Sequence, residues 1–273
     1  MRSAQIALAF PLLVSTLAVT GCITSSPAEY GATPAAKKLA LPICENGLLD
    51  DGEDGDGQLI KLEGRDGYWF TFGDTEGTKF SPRGPFQMAD GGRPGSPESK
   101  HFAHVSGTMA PAGKSLYAGV GFALSNPKTG FDLSHAKGIQ FWAKGPGKIR
   151  FKVPDINTDP VGDRCMDCYN DFGVDIYLSD KWERYTIPFD RMEQQPGWGD
   201  RAPHVASGAI FAMQWQFTTP GLDFDLSFDD VAIVCEPDAA ATQGSVEPQG
   251  SVEPQGSLEA APSTEEAQSS DKE

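Results

Sequence analysis

Cations are scarce in this chain. Its 22 Lys and Arg stand against 38 Asp and Glu, for a formal net charge of -16. So acidic a chain repels phosphate backbones, which excludes nucleic-acid binding through a basic footprint. Histidine is scarcer still, at four residues. His101 and His104, three apart on an alternating stretch, face opposite sides and do not share a metal. No Gly-x-Ser-x-Gly, His-Glu-x-x-His or phosphate-loop motif occurs, so the common hydrolase, metalloprotease and nucleotide signatures are missing. The one apolar segment, Ile6–Val19, has 14 residues, too few for a normal membrane span. Nothing in residues 44–236 sustains a helical period. Abundant instead are Gly (31) and Pro (21), with aromatics at 10%. That composition favours turn-rich β structure with enough apolar surface to bury a core.

The first residues read as an address. Arg2 precedes the apolar segment, and Val19-Thr20-Gly21-Cys22 closes it with small residues before a Cys. This resembles the bacterial lipobox. The resemblance implies a signal peptide over 1–21, cleavage before Cys22, and acylation of the Cys22 thiol. Two or more acyl chains anchor stably, at about 0.8 kcal/mol per buried CH₂. Ile23 follows the Cys, and the absence of Asp there favours, by the same resemblance, the outer membrane of the cell envelope. Residues 22–43, rich in Ser, Thr, Ala and Pro, read as a tether. Residues 237–273 carry a charge of -7 and a short repeat, Gly244–Gln249 recurring at Gly250–Gln255, and read as an acidic disordered tail. Residues 44–236, with a charge of -11, remain for one β-sandwich domain.

Period-2 alternation marks the strands of that domain. Ile139, Phe141 and Ala143 alternate with Gln140, Trp142 and Lys144. Ile149, Phe151 and Val153 alternate with Arg150 and Lys152, and Gly145-Pro146-Gly147 between them predicts a hairpin. Val174, Ile176 and Leu178 alternate with Asp175 and Tyr177. Phe211, Met213, Trp215 and Phe217 alternate with Gln214 and Gln216, and Phe224, Leu226 and Phe228 follow. Many short strands with Gly/Pro turns and no helices predict an all-β sandwich or jelly roll.

Four cysteines follow Cys22, and outside the cytoplasm disulfides are favoured. Three pairings are open. Cys44 opens the domain and Cys235 closes it, and in a sandwich the first and last strands often lie side by side, so this pair would staple the ends. Cys165 and Cys168 would then close a tight loop. A redox or zinc role for that Cys-x-x-Cys is the alternative, but its flanking residues do not resemble a thioredoxin site and no second such motif exists.

Leu49–Asp56 followed by Gly67-Tyr68-Trp69-Phe70, then Gly138–Gly145, Trp182–Phe189 and Phe228-Asp229-Asp230-Val231, resemble the strands of galactose-binding-like jelly rolls. Among these, the residues resemble family 11 carbohydrate-binding modules. It implies a non-catalytic carbohydrate-binding protein with a structural calcium between the chain ends. Asp51 and Glu53 from the opening and Asp230 from the last strand are the expected ligands, because alternation turns Asp230 inward, where an unpaired carboxylate is costly. The opening loop is no EF-hand: counted from Asp50, position 3 is Gly52 and position 12 is Lys61. Expected sugar contacts are Gln214 and Gln216, whose amides both donate and accept, with Arg150, Asp175, Tyr177 and Tyr117. Gly119 and Gly121 are expected to leave room for a ligand. Trp198, between glycines, is expected to stack on a sugar ring, and Asp155 and Asp171 to line one end of the groove at the margins of the long polar segment 154–172. Trp69, Trp142, Trp182 and Trp215 are expected to pack in the core or at its rim. Two alternatives share the same sandwich: an envelope polysaccharide hydrolase or lyase, and a protein-binding or assembly module like that of the complex I intermediate-associated family.

Overall fold

In a computed structural model, residues 41–237 are described. The expected leader (1–21), the Cys22 anchor, all but the end of the 22–43 linker, and the 237–273 tail apart from Pro237 lie outside them. Twelve strands follow one another: β1 (Ile43–Asp50), β2 (Trp69–Gly73), β3 (Lys79–Ser81), β4 (Ala89–Asp90), β5 (His101–Thr108), β6 (Ala118–Ala123), β7 (Gly138–Lys144), β8 (Gly147–Val153), β9 (Phe172–Leu178), β10 (Glu183–Pro188), β11 (Ala212–Phe217) and β12 (Asp223–Val234). Every pairing between strands is antiparallel. Seven strands form one sheet in the order β10-β7-β12-β5-β3, with β1 also on β12 and β4 also on β5. The other five run β2-β6-β11-β8-β9. The two sheets make an all-β sandwich of the jelly-roll kind, as the alternation predicts.

The inward residues of both sheets meet at Trp215, which is fully buried. Its ring lies 5.9 Å from Trp69 in a stacked pair, 5.2 Å from Phe141 edge-on, 5.2 Å from Phe151 and 4.5 Å from Phe228. Such contacts add to the burial energy of each ring, which for side chains of this size dominates a core. Trp69 and Trp215 are therefore core residues. Trp142 and Trp182 are half-buried on the outer face of the seven-stranded sheet, and each has a cation over it: Arg93 4.2 Å from the Trp142 ring, and Lys144 5.3 Å from that of Trp182.

Both disulfides form as expected, Cys44–Cys235 and Cys165–Cys168. The first is possible because β1 pairs with β12, with Ile43 opposite Val234.

The 139–153 hairpin does not form. β7 belongs to the seven-stranded sheet and β8 to the five-stranded one, so the Gly145–Gly147 turn carries the chain across the sandwich. Gly145 passes so close to β12 that a Cβ there would stand 2.5 Å from a Leu226 methyl and 2.7 Å from the Asp225 carbonyl. Alternation tells which side chains face inward, but both sheets have an inward face. It cannot name the neighbouring strand.

Candidate functional site

Register across the five-stranded sheet lays out its outer face row by row. Phe72 pairs with Gly119, Gly119 with Gln216, Gln216 with Arg150, and Arg150 with Asp175. One row along, Phe70 pairs with Gly121, Gly121 with Gln214, Gln214 with Lys152, and Lys152 with Gly173. Lys148 opposes Tyr177 at the far end. The face thus runs from aromatic to amide to cation to acid across five strands, spaced about 4.8 Å apart.

The aromatic margin is continuous. Phe70 and Phe72 lie with ring centroids 6.1 Å apart, and Phe72 lies 6.4 Å from Tyr117. Tyr117 is held there by buried Asp74: its N–H donates to the carboxylate at 3.0 Å, and its carbonyl accepts from the Asp74 N–H at 2.8 Å. Phe72 is tipped over β6, so that a Cβ on Gly119 would stand 2.7 Å from its ring. A Cβ on Gly121 would stand 2.8 Å from Gln214 Cγ. The space left by the two glycines is therefore taken by this protein's own side chains, a correction to the expectation that it admits a ligand. Its effect is a flush floor on which a ring face and an amide lie side by side.

The charged margin is closed on itself. Asp175 takes Lys148 at 2.7 Å and Arg150 at 3.3 Å. Arg150 also donates to the Glu193 carbonyl. Burial lowers the Arg150 pKa, and Asp175 opposes that shift. Lys152 meets Asp171 at 2.7 Å. Burial raises the Asp171 pKa against the pull of Lys152. Beyond β9, Glu193 pairs with Gly173 and starts a second layer of loops. Asn170 donates to the carbonyls of Gln195 and Trp198, and Gln194 donates to those of Asn170 and Asp200. These bonds order the long 154–171 segment together with the Cys165–Cys168 bridge.

The structure thus brings Tyr117, Arg150, Asp175, Tyr177, Gln214 and Gln216 onto one face, with Asp171 at its margin through Lys152. Trp198 is exposed on the adjoining loop, its backbone tied to Asn170. Asp155 does not join them. It is fully buried, and its carboxylate accepts from the Asn157 and Ala206 N–H groups at 2.9 and 2.7 Å. It caps turns, and burial raises its pKa. Sequence reasoning missed Phe70, Phe72 and Lys152. The signal was present: once Trp69 is placed in the core, alternation turns Phe70 and Phe72 outward.

The calcium ligands do not converge. Asp51 accepts from the Glu53 N–H at 3.2 Å, and Glu53 from those of Lys100 and His101 at 2.8 and 3.2 Å. Asp230 is paired with Arg93. Nor does Asp230 point inward: a bulge between Asp229 and Ala232 shifts the alternation, and Asp230 sits in it with φ 48° and its side chain 38% exposed. Buried there instead is Asp229. Among the described residues no three His, Cys, Asp or Glu side chains group as a metal set, so these residues do not fit the ion.

The domain is a jelly-roll sandwich whose five-stranded sheet presents an aromatic and polar platform. No family model matches the chain, and no curated protein matches it. Among solved structures it is similar to a family 11 carbohydrate-binding module from Clostridium thermocellum in complex with a β-1,3-1,4-mixed-linked tetrasaccharide. The identity is 18%, over 67% of this chain and 96% of that one, with a TM-score of 0.47. It is also similar to a family 11 module solved in solution, CtCBM11 (17% identity, 74% and 99% covered, TM-score 0.49), and to a family 30 carbohydrate-binding module (12%, 61% and 92%, 0.45).

Proposed function

We propose that this protein binds an uncharged carbohydrate chain noncovalently on the outer face of its five-stranded sheet, as a lipid-anchored protein of the bacterial cell envelope. The observation that carries the reading is the Phe72 ring laid over Gly119 beside Gln214 and Gln216. A sugar ring has an apolar C–H face and a rim of hydroxyls. The aromatic margin suits the first, and the amides, which donate and accept, suit the second. Lys148, Arg150 and Lys152 are offset by Asp171, Asp175 and the neighbouring Glu193. A face so balanced offers no net charge to an acidic polymer. Both carboxylates of the face are held by cations, an arrangement suited to positioning hydroxyls rather than to delivering an acid and a base to a bond. The anchor rests on the lipobox resemblance at Cys22.

Retention on a glycan array and mobility in gels containing neutral or uronate polysaccharides test the proposal. Neutral glycans are expected to retain the protein and uronate polymers to leave it unretarded. Phe72→Ala and Gln214→Ala are each expected to weaken binding roughly tenfold, the effect of about 1.4 kcal/mol, with melting temperatures close to wild type because both side chains lie on the surface. A blank across the whole array, or undiminished binding by both variants, would sink it.

A further inference from the structure

The bulge in β12 places two carboxylates side by side. Asp229 Oδ2 accepts from Ser99 Oγ at 2.8 Å and from Arg93 Nε at 3.3 Å. Asp230 Oδ2 accepts from Arg93 Nη2. The guanidinium also lies 4.2 Å over the Trp142 ring, and the Arg93 side chain is only 11% exposed. It is therefore enclosed by two negative charges and one π face, the surroundings that a buried cation requires. The planar fork of arginine suits two acceptors at once.

The segment that delivers Arg93 is built to hold it in place. Residues 91–99 leave β4 and return to β5, and the Gly91 N–H donates to the Lys100 carbonyl at 2.8 Å. The Arg93 N–H donates to Ser99 Oγ at 2.9 Å, and that same hydroxyl donates to Asp229. At the segment's exit, Glu53 accepts from the Lys100 and His101 N–H groups. Two of the three side chains expected to bind calcium, Glu53 and Asp230, are thus spent on fixing this clasp and its arginine.

We infer that Arg93 is a built-in cation: it neutralises the acidic bulge of β12 in the place where the family resemblance puts calcium, and it locks the 91–99 segment onto the outer face of the seven-stranded sheet. The consequence is a sandwich whose stability needs no metal. A divalent ion at Asp229 and Asp230 would first have to expel a guanidinium that makes two charge-assisted bonds.

The test uses the full-length protein and does not depend on what the five-stranded sheet binds. Elemental analysis after gel filtration is expected to find no stoichiometric calcium, and melts in chelator and in excess calcium are expected to superimpose. Arg93→Gln is expected to melt about 10 °C lower, because it leaves buried Asp229 without its cation. Asp230→Asn, milder because that side chain is partly exposed, serves if the first variant does not fold. The double variant is expected to melt no lower than Arg93→Gln alone, since the two residues act as one contact. Bound calcium at one ion per chain, a wild-type melt lowered by chelator, additive losses in the double variant, or an Asp230→Asn variant indistinguishable from wild type would each overturn the inference.

Discussion

Replacing Cys44 and Cys235 together with alanine is expected to destabilise the domain by about 5 kcal/mol. The bond joins residues 191 apart. A loop that long, held closed in the unfolded chain, removes entropy worth about 5 kcal/mol at 25 °C in the chain-entropy description. For a domain of this size the melting temperature should fall by about 10–20 °C. Thermal melts of the double variant against wild type, and of wild type with and without reductant, measure it. The control is the second bridge. Cys165–Cys168 closes a loop between residues only three apart, so the same formula assigns it much less. Alanine at both of those positions should shift the melt by only a few degrees. Equal losses for the two pairs would contradict this account.

Stability should fall as pH rises from 4 to 7, and Asp50 is one cause. It ends β1, 3% exposed, with its carboxyl receiving the Trp69 indole N–H and, at 2.8 Å, the Gly52 N–H. Burial outweighs those bonds and raises its pKa from 3.8 to about 7. The folded state therefore binds a proton that the unfolded state releases near pH 4. The stability that this neutral carboxyl contributes is complete below pH 4 and is lost as pH rises to 7. Three pKa units at 1.36 kcal/mol each make the loss about 4 kcal/mol. Asp50→Asn should flatten the profile between pH 4 and 7. Its amide turns an N–H toward one of two donors, a cost of about 1–3 kcal/mol present at every pH. The gap between the two proteins should accordingly close from pH 4 to pH 7. Urea titrations followed by tryptophan fluorescence at several pH values read both slopes, and parallel profiles would refute the assignment. Asp171 and Asp229, also raised by burial, act in the same direction.

The strands of the second half of the domain were legible because each has one buried and one polar face, a pattern that period 2 records directly. So was the staple of the chain ends. What escaped were features that depend on a third strand. The crossing at Gly145 is invisible to alternation. The inserted residue at Asp229–Asp230 breaks the count by one, so the carboxylate expected to point inward does not. On the platform, Gln214, Gln216, Arg150 and Asp175 were legible as the polar half of alternating strands. Phe70 and Phe72 were hidden because an aromatic on a strand reads as core until its neighbour, Trp69, is known to be the one facing in. The place of Asp155 was hidden for a different reason. A buried Asp that caps turns and an Asp that lines a groove look alike until the N–H groups around it are located.

β12 also fixes when the fold can form. It lies at the middle of the seven-stranded sheet, with β7 on one side and β5, then β1, on the other. It is also the last strand of the domain. On a chain delivered N-terminus first to the compartment where it folds, β1, β5 and β7 must wait for residues 223–234 before any of them gains this neighbour. The most deeply placed strand is the last to arrive, so the sandwich closes in one late event rather than growing piece by piece.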